Sequence, residues 1–238
     1  MQRAAHCAVI PSILSKEGYV VTKMAKAAVL NRVEGEFQIK EYEVPEPAPG
    51  TFILRTELAG ICATDAHVYY GHLEGVPFPV ILGHEFCGII ERLGPGVTED
   101  ARGAPVKEGD RVIMVPGAPC GQCYYCRVAK TPSRCVNSNV YGFSRDDAEH
   151  VLAGGYAQYV YAQFPNTAFI RTDLPANIAV LTEPLIIAIH GISRAGVQLG
   201  DTAVIQGSGA IGLGALVFSR YAGAAKTIVI GGPRKRLE

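Results

Sequence analysis

The chain has 238 residues, with 22 Lys and Arg balanced by 22 Asp and Glu. Zero formal net charge argues against a general nucleic-acid or anionic-membrane binder, which needs a basic surplus. A hydrophobic fraction of 48% with 18% charged residues belongs to a globular chain rather than a disordered one, and no apolar run reads as approaching the roughly 20 residues of a membrane span.

Residues 1–23 lack a signal-peptide pattern, because Pro11 and Ser12 break the apolar stretch at 8–14. They read as an extension, and the fold is expected to begin at Met24. Residues 27–30 and 37–44 flank a Glu34-Gly35 turn and predict a hairpin. Pro45, Pro47 and Pro49 then break the chain. Residues 51–58 alternate: Phe52, Leu54 and Leu58 share one face, Arg55 and Glu57 the other, which predicts a half-buried strand. Further strands are expected at 87–93, 111–115 and 155–161. Many short strands between Gly and Pro turns suggest an irregular barrel or sandwich.

After about Leu174 the pattern changes. Residues 179–195 predict a helix, 202–206 a buried strand, 210–222 a helix and 227–230 a second buried strand. That order opens a parallel α/β sheet.

Four of the seven cysteines fall in one short stretch, Cys120, Cys123, Cys126 and Cys135. Neighbours this close rarely reach disulfide geometry, so metal ligation in a reducing, cytoplasmic setting is the better reading. Four thiolates suit a closed, structural tetrahedral Zn²⁺ site. An iron–sulfur cluster also takes four thiolates, and the spacing alone does not separate the two. Cys7 and Cys87 have no evident partner and read as free thiols. His6, His72, His150 and His190 lie outside the motifs, with His72 the nearest of them to an expected substrate cleft.

Gly207-Ser208-Gly209-Ala210-Ile211-Gly212 fits G-x-G-x-x-G between a strand and a helix. The first glycine permits the tight turn, the second the approach of a pyrophosphate, and the third close helix–strand packing. The helix N-terminus supplies amide donors. An acidic residue for the ribose is expected about 20 positions on. Gly231 stands there instead, followed by Arg234 and Arg236. The missing carboxylate and the two guanidinium groups favour a 2′-phosphate, while basic residues at a solvated helix start read equally well. NAD and NADP both stay open.

A second set of metal donors is dispersed. Cys62, Thr64, Asp65 and His67 lie within six residues, Gly83-His84-Glu85 follows a proline-rich loop, and Glu183 precedes Pro184 at a helix start. Each has a bland reading as core or capping residue. Together they offer S, N and O ligands, as a catalytic zinc with an open position uses.

Taken with the four-cysteine stretch and the glycine loop, these motifs resemble the zinc-dependent medium-chain alcohol dehydrogenase family, in its polyol or threonine dehydrogenase-like branch, from Met24 to Glu238. The resemblance implies α/β plus β architecture: a GroES-like irregular β-barrel catalytic domain over 24–190, then the first part of a Rossmann domain over 191–238. It implies a catalytic zinc on Cys62 and His84, with Glu85 beside them and Glu183 as third protein ligand, and a structural zinc in the cysteine lobe. Thr64 and His67 match the pair that carries the alcohol proton away, and Asp65 matches a residue orienting a ligand. The expected reaction is hydride transfer between a secondary alcohol or polyol and NAD(P). The gap between Cys126 and Cys135 is one residue longer than the family pattern, and Gly231 departs from it too. A full-length homodimer or homotetramer is expected, with no nucleic-acid or membrane partner. Zinc-free reductases acting on enones or quinones lack the Cys62 and four-cysteine patterns. The non-enzymatic alternative is an inactive truncated fragment or a zinc-stapled domain: only two Rossmann strands are recognisable, so the 238-residue chain is expected to be a truncation, poorly soluble or inactive alone.

Overall fold

A computed structural model describes residues 23–237; the expected extension, with His6 and Cys7, otherwise lies outside them. The first lobe runs β1 (Met24–Leu30), β2 (Phe37–Glu43), β3 (Phe52–Ala59), α1 (Ala63–Tyr69), β4 (Val80–Ile81) and β5 (Phe86–Leu93). It continues through β6 (Arg111–Met114), β7 (Gly117–Ala118), α2 (Tyr124–Arg127), β8 (Asn139–Val140), β9 (Tyr159–Ala162) and β10 (Phe169–Arg171). The second part is α3 (Ala176–Ala179), α4 (Thr182–Ala195), β11 (Thr202–Gln206), α5 (Ala210–Tyr221) and β12 (Lys226–Ile230).

The predicted hairpin forms, with β1 and β2 antiparallel from Met24↔Glu43 to Leu30↔Phe37, and Glu34 takes a positive φ of 50° in its turn. Alternation on β1 buries Ala25, Ala27 and Val29. The sheets have orders β2-β1-β4 and β10-β6-β5-β3-β9. They meet at the Ala27–Ala157 bridge and the Ala28 N–H to Tyr156 O bond of 2.9 Å, and do not close into a barrel.

The alternation read on β3 fails in two places. Ile53 is buried as well as Phe52 and Leu54, because β3 sits inside the five-stranded sheet with apolar clusters on both faces. A register shift between Thr56 and Leu58 turns Leu58 out, to 42% exposure. The strand expected over 155–161 pairs regularly only from Tyr159. The helices α1 and α2 and the two-residue strands were not legible, being too short to show a period.

Asp100 staples the first lobe. Its side chain is fully buried and accepts N–H bonds from Arg102 (2.8 Å), Ala104 (3.0 Å) and Arg171 (2.9 Å), with Arg102 Nη2 at 3.1 Å. Burial alone raises its pKa, but the three backbone donors and Arg102 outweigh it and hold the carboxyl at about 2. A depressed folded-state pKa gives stability that is present above the unfolded carboxylate value of about 4 and lost as pH falls toward 2. Asp100→Asn is therefore expected to flatten the acid limb of denaturant midpoint against pH and to cost about 2–3 kcal/mol at neutral pH. An unchanged acid limb would refute this assignment.

Strands β11 and β12 pair in parallel from Thr202↔Lys226 to Gln206↔Ile230. The prediction that both are buried is corrected. The side chains of α5 pack on one face, where Ser219 Oγ and Thr227 Oγ1 are 3.2 Å apart. On the other face Val204, Ile228 and Ile230 are 61%, 38% and 57% exposed. A continuous apolar run reads as two-sided burial, but among the described residues only one face has a covering helix. Gly214 lets α5 approach α4, since a Cβ there would lie 2.9 Å from Ala188 Cβ. The expected division at 190/191 falls inside α4. Counted through the two-residue turn at 180–181, α3 and α4 make a stretch of 20 residues over Ala176–Ala195, longer and more apolar than expected. It contains Glu183, His190 and Arg194 and packs against α5, as a helix of an α/β layer does.

Candidate active site

The first cluster is built where α1 begins. Asp65 is buried on α1 and accepts the Cys62 N–H at 2.9 Å, closing the helix start as a capping box and fixing the Cys62 backbone. His84 and Glu85 arrive on the turn before β5. The donor atoms of Cys62, His84 and Glu85 all lie within 4.8 Å of one another. Glu85 reaches this position because Gly60 has no side chain: a Cβ there would lie 2.4 Å from Glu85 Oε2. Glu183, expected as a ligand, is outside that set. It sits in the first turn of α4, half-buried, close enough that its charge acts on His84.

His84 Nδ1 is buried, 3.4 Å from Asp65 Oδ1, without a hydrogen bond. Burial disfavours the charged imidazole, but Asp65, Glu183 and Glu85 outweigh it and raise its pKa. Burial likewise opposes the Asp65 charge, and His84, the Cys62 N–H and Tyr156 lower that pKa. Burial pushes the Cys62 thiol up, and Glu85 adds to this against Thr64. These groups are crowded acids around one imidazole. A divalent cation removes the conflict, since a ligating thiol is deprotonated outright. Sulfur, nitrogen and oxygen donors converging at this range fit an open zinc site. Thr64 Oγ1 lies 3.5 Å from Cys62 Sγ, and His67 is exposed on the same helix with its Nδ1 3.4 Å from His72 Nδ1.

The cysteine lobe is a separate construction. All four sulfurs lie within 4.8 Å of one another, with Cys123 Sγ 3.6 Å from Cys126 Sγ and 3.9 Å from Cys135 Sγ. A tetrahedron with 2.3 Å zinc–sulfur bonds places its sulfurs about 3.8 Å apart. A multi-iron cluster would spread its thiolates wider, so the geometry favours the single ion over the iron–sulfur alternative. The Cys126 N–H and its neighbours lower the Cys123 thiol pKa to about 6, whereas burial and the adjacent Cys123 push Cys126 to about 12. One thiolate forms readily and the next resists, which a cation resolves. Asn166 Nδ2 donates to Pro119 O at 2.9 Å and ties the start of the lobe to the turn between β9 and β10; the longer gap before Cys135 still leaves the four sulfurs convergent.

The glycine loop has the expected shape. Gly207 takes φ +119°, Gly209 precedes the first turn of α5, and Ala210 and Ile211 open that helix. A Cβ at Gly212 would lie 1.9 Å from Gly207 O. Gly212→Ala is therefore expected to disrupt the turn and to weaken dinucleotide binding at least about tenfold, measured by cofactor titration; unchanged binding would contradict it. Gly231 has a cause beyond the cofactor: a Cβ there would lie 2.6 Å from Ser208 Oγ and 2.7 Å from Ser208 N. The side chain is excluded by the loop itself. Arg234 and Arg236 lie on an exposed 3₁₀ turn after β12.

The Alcohol dehydrogenase GroES-like domain family matches residues 48–171, more than half of the chain. The chain belongs to the zinc-type alcohol dehydrogenase family. It is 40% identical to 5-exo-hydroxycamphor dehydrogenase of Pseudomonas putida over 90% of this chain and 58% of that one. Human sorbitol dehydrogenase is 31% identical over 87% and 57%. The alcohol dehydrogenase of Thermotoga maritima superposes with TM-score 0.83 at 31% identity, over 90% of this chain and 60% of that one. A zinc-binding-dehydrogenase-like protein of Sinorhizobium meliloti 1021, bound to NADP, gives 0.77 at 31% identity over 90% and 58%. The chain thus spans a little under three fifths of the length of these two relatives.

Within this alcohol dehydrogenase fold, Gly60 and Tyr156 are site residues that sequence reading missed. Gly60 is a glycine because the Glu85 carboxylate rests against it. Tyr156 donates to Asp65 Oδ2 at 2.9 Å from 91 residues away, a distance across which no spacing rule operates.

Proposed function

We propose that the protein is a nicotinamide-dependent oxidoreductase of secondary alcohols or polyols, with a catalytic zinc on Cys62, His84 and Glu85 and a structural zinc on the four cysteines. The observation that carries this is the convergence of Cys62, His84 and Glu85 within 4.8 Å beside a buried Asp65. Zinc held there supplies Lewis-acid polarisation of the substrate oxygen, and the nicotinamide supplies the hydride acceptor.

The chain's own residues then handle position and protons. Asp65 fixes the Cys62 backbone and faces His84, so two donors are oriented by one carboxylate. Thr64, beside Cys62, takes the substrate hydroxyl proton. His67, three residues on along the same face of α1, passes it to solvent. Gly207, Gly209 and Gly212 hold the backbone open to the pyrophosphate, and the first turn of α5 supplies its N–H groups. Glu183, at the edge of the cluster, lies outside the donor set and acts on His84 through its charge, which leaves the fourth position of the metal open to the substrate oxygen. Arg234 and Arg236, on the turn after β12, offer cationic partners to a 2′-phosphate, while structural relatives are bound to NADP and to NADH.

The test is alcohol-dependent nicotinamide reduction by the purified protein across secondary alcohols and polyols, with metal analysis in parallel. Turnover that disappears with the non-lobe zinc is expected. Two zinc ions retained without turnover on any substrate would favour the zinc-stapled, non-catalytic reading.

A further inference from the structure

One phenol joins both halves of the candidate zinc site. Tyr156 leaves the turn before β9 with its backbone fixed twice: its N–H donates to Leu82 O at 2.9 Å, and its O accepts from Ala28 N–H at 2.9 Å. Its ring lies on Gly83, where a Cβ would be 2.6 Å from Tyr156 Cδ1. Only a glycine at 83 lets the ring sit there, directly before His84. Its hydroxyl reaches the other segment, 2.9 Å from Asp65 Oδ2 and 3.3 Å from Gly60 O. Gly60 is the residue against which the Glu85 carboxylate rests.

Resting on the catalytic-zinc reading above, we propose that Tyr156 is a positioning residue of that site: its hydroxyl sets the Asp65 carboxylate that faces His84 Nδ1, and its ring holds the Gly83 turn. Asp65 Oδ2 is then shared by the Cys62 N–H and the Tyr156 O–H, which leaves Oδ1 turned to the Gly83 N–H and to His84 Nδ1, each at 3.4 Å. Burial and the Asp65 charge raise the phenol pKa, so it stays protonated as a donor. Partners of this kind, one bond removed from a metal ligand, typically change metal affinity about ten- to a hundredfold.

The test follows zinc release to a chelator from the purified protein, with the release phase lost in Cys62→Ala assigned to this site. Tyr156→Phe keeps the ring on Gly83 and removes only the hydroxyl. It is expected to speed release from this site about ten- to a hundredfold and to leave the four-cysteine phase unchanged. In an Asp65→Asn background the same change is expected to add less than about twofold, because the two residues act through one carboxylate. Tyr141→Phe removes another buried phenol, bonded to Thr167 Oγ1 at 2.8 Å, and is expected to alter neither phase. Release within twofold of the unsubstituted protein, acceleration of both phases, full additivity with Asp65→Asn, or failure of Tyr156→Phe to fold would each overturn the proposal. A parent protein with zinc only in the cysteine lobe would overturn the underlying reading instead, and the proposal with it.

Discussion

Cys62→Ala is expected to remove one zinc equivalent per chain and to lower alcohol-dependent nicotinamide reduction at least about a thousandfold. The polarisation of a substrate oxygen by a bound metal is worth several kcal/mol, and each 1.36 kcal/mol is a factor of ten in rate. Cys62 is the only sulfur donor of its cluster, and its backbone is already held by Asp65. The substitution therefore removes a ligand without removing the helix start. Asp65, His84 and Glu85 remain, so the loss falls on the metal rather than on the fold. Metal analysis and steady-state turnover on the same preparations check the result. Unchanged turnover would refute the catalytic assignment.

Cys123→Ala is expected to act first on stability. Cys123 stands between Cys126 and Cys135, with sulfurs at 3.6 and 3.9 Å, so its loss opens the centre of the set. The lobe around it has little else to hold it: neither α2 nor the 3₁₀ turn at Pro132–Arg134 contains a buried residue. Structural zinc in small sites contributes roughly 10–16 kcal/mol of apparent binding free energy, which becomes folding free energy where the loop has no core. Losing even about 4 kcal/mol of it lowers the melting temperature by about 8–16 °C in a chain of this size. Thermal scans with zinc determination measure both quantities together. A Cys123→Ala protein that keeps its second zinc and its melting temperature would show that the lobe is not a metal site.

The two variants also separate the sites. One loses turnover with the lobe intact, and the other loses the lobe's stability. A chelator that strips both should reproduce the sum, slow at the four-thiolate site and faster at the open one.

What the sequence made legible follows from how local each signal is. The cysteine lobe was readable because its four donors fall within sixteen residues, and the structure brings all four together. The glycine loop was readable because strand, turn and helix are contiguous, and Gly212 meets Gly207 within the same turn. The Cys62 cluster was legible as a set of possible donors, but since they come from separate segments, which of them hold a metal was implied only by the family resemblance. Its supports were invisible for the same reason. Tyr156 and Asp65 are joined by a fold, not by a spacing, and Gly60 and Gly83 are glycines because of side chains far along the chain. Strand existence was also better read than strand burial. Leu58 turned out through a bulge that alternation does not foresee, and Val204 and Ile230 are apolar without being covered on their side.

Gly231 does not decide between the two cofactors. Its packing on Ser208 explains the absent acid without any ligand, so Gly231 alone is weak evidence for a 2′-phosphate. Arg234 and Arg236, on the exposed turn after β12, carry that part of the reading.

Zinc content per chain, measured on the purified protein and on Cys62→Ala side by side, tests the account most directly. Two zinc ions in the first and one in the second are the predicted result. A single zinc in both, or two in both, would contradict a catalytic zinc on Cys62, His84 and Glu85.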